Sequence, residues 1–201
     1  TPNANGVVLI EVYDVTQGGA AGPKAANVST RGQVGTGADQ LIAGFVVTGS
    51  VSRRMLIRGA GPTLAALGVP GVLADPQLRL VAQASGQVIR SNDNWASGED
   101  ATIISSASSA AGAFPFGGNS RDSAMIVMLP PGAYTVQLSG VNNATGVGIV
   151  RSTTSIPDVP GIFPGRALQF PARGLASAPP CNIRNSSRPS PWARSRSPTA
   201  L

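Results

Sequence analysis

The chain has no histidine and only one cysteine among its 201 residues. Without histidine it lacks the usual general base, the Ser-His-Asp triad and the commonest zinc ligand. The single cysteine is Cys181, so residues 1–150 have no disulfide and no thiolate metal site. Nucleophilic catalysis has no support in these residues, and we expect a protein that is not an enzyme.

Charged and aromatic residues are also scarce, at 12% and 4% of the chain. No apolar run approaches the ~18–20 residues of a membrane-spanning helix. The net charge of +6 would by itself suggest a partner with negative charge. That charge is confined to residues 151–201, where seven arginines stand against Asp158 alone. Residues 1–150 carry equal numbers of basic and acidic side chains, so we expect no nucleic-acid partner and no membrane span.

The residues that are abundant, Gly, Ser, Thr and Val, form short segments that alternate with period two. In one of them Leu78 and Leu80 alternate with polar neighbours, which is typical of a strand with one buried and one solvated face. The predicted strands are 6–15, 26–31, 40–48, 54–58, 77–82, 86–91, 123–129, 133–139 and 145–150. A short helix is predicted near 62–67, because Pro62 suits a first helical position. A strand or short helix is expected near 101–106.

An eight-residue sequence occurs twice and is followed by different residues each time. Residues 3–10 read Asn-Ala-Asn-Gly-Val-Val-Leu-Ile and continue with Glu-Val-Tyr-Asp. Residues 143–150 read Asn-Ala-Thr-Gly-Val-Gly-Ile-Val and continue with Arg-Ser-Thr-Thr-Ser. The codons GAG-GTC-TAC-GAC-ATC-C encode Glu-Val-Tyr-Asp-Ile, and one base later they read AGG-TCT-ACG-ACA-TCC, which is Arg-Ser-Thr-Thr-Ser. A reading-frame slip after residue 150 explains the break.

This repetition predicts three parts in the chain. Residues 1–24 are expected to be the terminal strand of a preceding repeat with a linker, and residues 25–155 a β-sandwich repeat module. Residues 156–201 form a Pro- and Arg-rich tail, which we interpret as out of frame and expect to be disordered or irregular. The slip is also expected to shorten the strand that begins at Gly146 by about half.

Several short motifs carry a resemblance to a known type of module. They are 27–32 (NVSTRG), 34–37 (VGTG), 41–46 (LIAGFV), 56–62 (LIRGAGP), 74–78 (ADPQL), 91–95 (SNDNW) and 129–135 (LPPGAYT). Residues 27–150 thereby resemble a repeat module of very large secreted or surface proteins of environmental bacteria. Residues 75–150 are also similar to bacterial pre-peptidase C-terminal domains. The resemblance implies an all-β fold, an antiparallel and jelly-roll-like β-sandwich, in a non-catalytic module at the cell surface or outside the cell. Arg58, inside one of these motifs, is expected to pair with a carboxylate or a carbonyl oxygen.

The best metal candidate is the turn formed by Asn92, Asp93 and Asn94, together with Asp100. Glu99 and Asp122 could join it. Clustered oxygen ligands in loops suit calcium, and calcium is common in modules of this type. The alternative is a plain turn in which the Asx side chains bond their own backbone. Calcium is the one cofactor that the sequence suggests.

The favoured function is structural or adhesive, with neighbouring repeats or identical subunits as partners and surface polysaccharide as a further one. One alternative is a subunit of an extracellular filament assembled by strand addition. The added strand would come from residues 6–14, which could fill an edge left by the shortened strand, through Val7, Val8, Leu9, Ile10, Val12 and Tyr13. The other alternative is a carbohydrate-binding accessory domain of a secreted hydrolase, which exposed aromatics would support. Trp95 could stack on a sugar, but a lone tryptophan is more often part of a packed core.

Overall fold

The computed structural model describes residues 27–97 and 100–154. The terminal parts predicted at 1–24 and 156–201, and with them the strand predicted at 6–15, lie outside the described residues. The strands are β1 (Asn27–Val34), β2 (Leu41–Val47), β3 (Arg53–Ala60), β4 (Pro76–Ala82), β5 (Val88–Asn92), β6 (Ser123–Leu129), β7 (Gly132–Gly140) and β8 (Gly146–Thr154). Each of the other eight predicted strands is confirmed within a few residues. The helices are α1 (Pro62–Ala66) and α2 (Ala101–Ala110).

The strands form two four-stranded antiparallel sheets. Sheet A has the order β1-β8-β3-β6, and sheet B has the order β2-β7-β4-β5. The first strand therefore pairs with the eighth, the second with the seventh, the third with the sixth and the fourth with the fifth. Because successive pairs alternate between the two sheets, the chain has the topology of a jelly roll. The predicted fold class, an antiparallel β-sandwich of jelly-roll type, is confirmed.

The main core lies between the two sheets, where the period-two pattern of each strand places its apolar residues. Met55 and Ile57 in sheet A face Leu80, Val136 and Leu138 in sheet B, and all five are buried. Burying a side chain of this size stabilises the folded state by about 1.5–3 kcal/mol. The alternation that is visible in the sequence therefore accounts for most of this core.

Leu138 of β7 inserts between two glycines of sheet A. A Cβ atom on Gly59 would lie 2.7 Å from one methyl carbon of Leu138, and a Cβ on Gly148 would lie 2.8 Å from the other. Both distances are shorter than any ordinary carbon–carbon contact. The two glycines therefore leave the space that the leucine side chain fills, and a larger residue at either position would force that side chain to move.

The two helices belong to the connections between strands. The short helix predicted near 62–67 is confirmed as α1, and Pro62 opens it as the sequence indicates. The stretch near 101–106, for which the sequence allows a strand or a short helix, forms the ten-residue helix α2. This helix covers the outer face of sheet A through a second apolar cluster that includes Leu56, Ile104 and Ile126.

The expectation of a shortened last strand is wrong. β8 continues four residues past Val150 to Thr154, and its register with both β1 and β3 is regular over that length. It is also a central strand of sheet A, so it leaves no free edge for residues 6–14 to fill. The backbone ladder needs only N–H and C=O groups, and Ser and Thr are tolerated in strands, so the changed sequence does not stop the strand.

Candidate functional site

Several of the described residues that the sequence singled out lie around the outer face of sheet A. β5 ends at Asn92, and the chain then passes through the turn at 93–97 and on to α2. Trp95 and Phe116 pack against the second apolar cluster there. This region, which we call the outer-face cluster, brings together the turn at Asn92, the acceptor Asp122 and the buried Arg58.

The Asn92 side chain bonds both the turn that follows β5 and the backbone of β6. Its Nδ2 donates to the Asn94 carbonyl oxygen at 3.1 Å, and its Oδ1 accepts from the Ala124 backbone N–H at 3.0 Å. Next to it, the Trp95 backbone N–H donates to the Asp122 carbonyl oxygen at 2.9 Å. The bond to Asn94 is the turn contact that was weighed against calcium, and the bond to Ala124 clamps β5 to β6.

Asp100 forms an ion pair with Arg90, in which both side chains are about one-third exposed. A second nitrogen of Arg90 donates to the Ile126 carbonyl oxygen at 3.1 Å. Since an exposed ion pair contributes at most about 1 kcal/mol, its main effect is to position the start of α2 over β6.

The four residues of the calcium prediction lie at the end of β5, in the turn that follows it and at the start of α2. The side chains of Asn92 and Asp100 have partners within the domain, whereas Asp93 and Asn94 are half-buried in the turn. Within residues 27–97 and 100–154, no group of three or more His, Cys, Asp or Glu side chains could hold a metal ion. Glu99 lies outside the described residues. Calcium binding by this turn stays a prediction.

Asp122 is the most heavily bonded carboxylate among the described residues, and it is fully buried. It accepts from the Gly61 N–H at 2.7 Å, from the Thr63 N–H at 3.2 Å and from the Ser120 hydroxyl at 2.6 Å. The Thr63 hydroxyl is a further donor. Asp122 thus caps the first turn of α1, where free N–H groups favour a negative charge. The sequence suggested it only as a possible calcium ligand.

Arg58 lies in the centre of the outer-face cluster and is 2% exposed. Its guanidinium carbon lies 3.8 Å from the centre of the Phe116 ring and 4.8 Å from that of Phe114. One terminal nitrogen donates to the Phe114 carbonyl oxygen at 2.7 Å. This carbonyl is the kind of partner that the sequence predicts for Arg58, but the aromatic rings come from residues too distant along the chain to be recognised.

The electrostatic surroundings of Arg58 disfavour its charge. Its pKa is lowered to about 10, mainly by burial and then by the like charge of Arg151, while Asp122 acts in the opposite direction. The guanidinium stays protonated at neutral pH because even this pKa is far above 7. The lowered pKa means that the charged form of Arg58 is less favourable in the folded protein than in water.

A pocket of about 310 Å³ lies beside Trp95 and Phe116. Its polar lining includes Ser105, Ser108 and Ser109 of α2. The Trp95 ring nitrogen donates to the Gly117 carbonyl oxygen at 3.1 Å, which fixes the ring in the cluster. The five described aromatic residues are all at least partly buried: Phe45, Trp95, Phe114, Phe116 and Tyr134. The exposed aromatic platform that a carbohydrate module would favour is thus not seen in the described part of the chain.

The residues predicted for strand addition, Val7, Val8, Leu9, Ile10, Val12 and Tyr13, lie outside the described residues. No helix within the described ranges is long and apolar enough to cross a membrane. No protein-family model matches the chain, and no curated protein matches it significantly.

Proposed function

We propose that this domain is a non-catalytic structural or adhesion module of an extracellular bacterial repeat protein, and that it packs against neighbouring repeats or identical subunits. The observation that carries the proposal is the composition of the sheet edges. β2 is an edge strand of sheet B, and its seven residues contain no charged side chain and no proline. In the described part of the chain, this edge strand therefore lacks the charge and the proline that commonly prevent strand-to-strand association.

The exposed apolar side chains support the same proposal. Ile42 and Val46 in β2 are 54% and 66% exposed, and they lie on one face of the strand. Among the described strands, every large apolar side chain that is exposed belongs to an edge strand. These residues are Val28, Ile42, Val46, Val88 and Met128. A module that contacts a neighbour along its edges would cover them.

The use of the polar residues also favours a structural role. Asn92 clamps two strands, Asp122 caps a helix, and Asp100 is paired with Arg90. Each of these three side chains is thus engaged in holding the sandwich together. This arrangement supports a domain whose polar contacts maintain its shape.

Association of the full chain with itself tests the packing. We expect light scattering after size exclusion to show a mass that rises with concentration, since identical subunits share the apolar edge. The paired substitution Ile42→Lys and Val46→Lys should abolish the rise. Leu67→Lys, at an equally exposed apolar position after α1 and outside the strands, is the matched control and should leave it intact. A monomeric mass at every concentration would contradict edge-to-edge packing.

The location at the cell surface needs a separate test. Antibodies raised against the full chain should label intact cells of the source bacterium as strongly as lysed cells. An antibody against a cytoplasmic protein is the control and should label only the lysed cells. Labelling confined to lysed cells would refute the extracellular part of the proposal.

The filament alternative now requires a different geometry from that expected on the sequence. Because β8 is a central strand, residues 6–14 of one chain would have to add to an edge such as β2 or take the place of β8 in another chain. Electron microscopy of the chain with and without residues 1–15 distinguishes the cases. Filaments that persist without those residues would exclude strand addition by them.

The carbohydrate alternative is favoured by one observation, the pocket in which Trp95 and Phe116 lie beside three serine hydroxyls. Titration with soluble bacterial polysaccharides should then change the tryptophan fluorescence, and Trp95→Phe should remove the change. Thr102→Ala, which is on α2 but not in the pocket lining, is the control and should leave the change intact. A signal that survives Trp95→Phe would place the binding elsewhere.

A further inference from the structure

Among the described residues, most of the buried side-chain atoms that lack a hydrogen-bond partner lie at one place in the domain. Among the described residues, four buried side-chain atoms have none: Arg58 Nε, Asp75 Oδ1, Arg151 Nε and Thr153 Oγ1. Two of them lie in the part of β8 that follows the break in the repeat, and Arg58 lies directly opposite. Because buried polar groups are nearly always paired, this grouping needs an explanation.

The register of β3 and β8 shows which residues lie directly opposite each other. Arg58 in β3 is paired with Arg151 in β8, Ile57 with Ser152, and Leu56 with Thr153. Residues directly opposite in an antiparallel pair have their side chains on the same face. Two arginines are therefore neighbours on the outer face of sheet A, and like charges in this position are destabilising.

The first copy of the repeated sequence carries different residues at the equivalent positions. Residues 3–10 align with 143–150 without a gap, so Glu11 corresponds to position 151, Val12 to 152 and Tyr13 to 153. A glutamate at 151 would face the Arg58 guanidinium. A valine at 152 would lie beside Ile57 in the main core, and a tyrosine at 153 beside Leu56 on the outer face.

We propose that Arg58, packed against the rings of Phe114 and Phe116, is a buried binding site for one carboxylate, and that the matching carboxylate is a glutamate at position 151 of β8, as in the repeat copy that contains Glu11. The aromatic rings and the Phe114 carbonyl fix the guanidinium, and its Nε–H remains as a donor. A carboxylate can accept from this donor, and such a charge-assisted hydrogen bond is roughly twice as strong as one between neutral groups. Arg151 occupies this position with the wrong sign of charge.

Two substitutions at one position test the proposal. Arg151→Gln removes the like charge, whereas Arg151→Glu removes it and also supplies the carboxylate. We expect both variants of the full chain to have a higher folding equilibrium constant than the parent in urea titrations. The glutamate variant should exceed the glutamine variant by a further factor of about ten, as for a hydrogen bond to a charged group. Equal constants for the two variants would overturn the proposal.

A second measurement observes the contact itself and does not depend on a change in stability. In nitrogen-15 spectra, the Arg58 Nε–H signal should shift and exchange more slowly with solvent in Arg151→Glu than in Arg151→Gln. Arg79→Glu, at an exposed position on sheet B, is the control for added negative charge and should leave the Arg58 signal unchanged. An Arg58 signal that is identical in the Glu and Gln variants at position 151 would show that the carboxylate does not reach the guanidinium.

Discussion

In β8, residues 146–150 and residues 151–154 continue one hydrogen-bonded ladder between β1 and β3, but their side chains fit the fold unequally. In the first half, Val150 is fully buried in the main core, and Gly148 leaves the space that Leu138 fills. In the second half, Arg151 faces another arginine, and the Thr153 hydroxyl is buried without a partner. The comparison separates two properties of a strand. Its backbone pairing tolerates a change of sequence, whereas its side-chain packing does not.

The largest expected effect tests how closely the first half fits. In Gly146→Ala, the new Cβ would lie 2.5 Å from the Leu73 nitrogen and 2.6 Å from the Val72 carbonyl carbon, and backbone atoms cannot move aside cheaply. We expect the free energy of unfolding in urea to fall by about 3 kcal/mol. Gly118→Ala is the control, because nothing lies within 4 Å of its Cβ position. An equal fall in the free energy of unfolding for the two variants would mean that residues 146–150 are packed no more tightly than a loop.

A smaller loss is expected when a core side chain of the first half is truncated. Val150→Ala removes buried apolar atoms and leaves a small cavity, so the free energy of unfolding should fall by about 2 kcal/mol. Val88→Ala removes the same atoms from a side chain that is 43% exposed, and its loss in the same urea titration should be much smaller. A Val150→Ala variant as stable as the control would remove the distinction between the two halves.

The second half should respond with the opposite sign. Thr153→Val keeps the shape of the side chain and removes the unpaired buried hydroxyl, so we expect the free energy of unfolding to rise by about 1 kcal/mol. Thr145→Val, at an exposed position just before β8, should leave the midpoint of thermal unfolding unchanged. If Thr153→Val is instead destabilising, the Thr153 hydroxyl contributes to stability, and it is not part of the poor side-chain fit of residues 151–154.

The strands could be predicted from the sequence because their signal is local. The alternation of apolar and polar residues around Leu78 and Leu80 indicates which face of the strand is buried. Similarly, Pro62 indicates where α1 begins. The helix α2 has a weaker signal, since Ala and Ser dominate it and leave only Ile103 and Ile104 as apolar anchors. A strand and a helix are equally compatible with that pattern.

The outer-face cluster could not be predicted because its contacts are remote along the chain. Asp122 caps a helix that begins after Gly61, 61 positions earlier, and Arg58 meets the Phe114 carbonyl across 56 positions. No spacing rule connects such residues. The extension of β8 escapes prediction for another reason. The sequence changes after Val150, but the neighbouring strands continue to pair with the backbone, and a single repeat does not reveal those neighbours.

The strand order of sheet A also determines when, during synthesis of the chain, that sheet can be completed. Within sheet A, β1 pairs only with β8, so Asn27 cannot form its pairing until Thr153 has been synthesised. A ribosome adds ~5–20 residues each second, and on the order of ten seconds therefore pass between the synthesis of the two strands. Pairings so distant along the chain also make folding slow compared with that of helical domains. Throughout that interval β1 has no partner in its own sheet, and β8 is the strand that closes it.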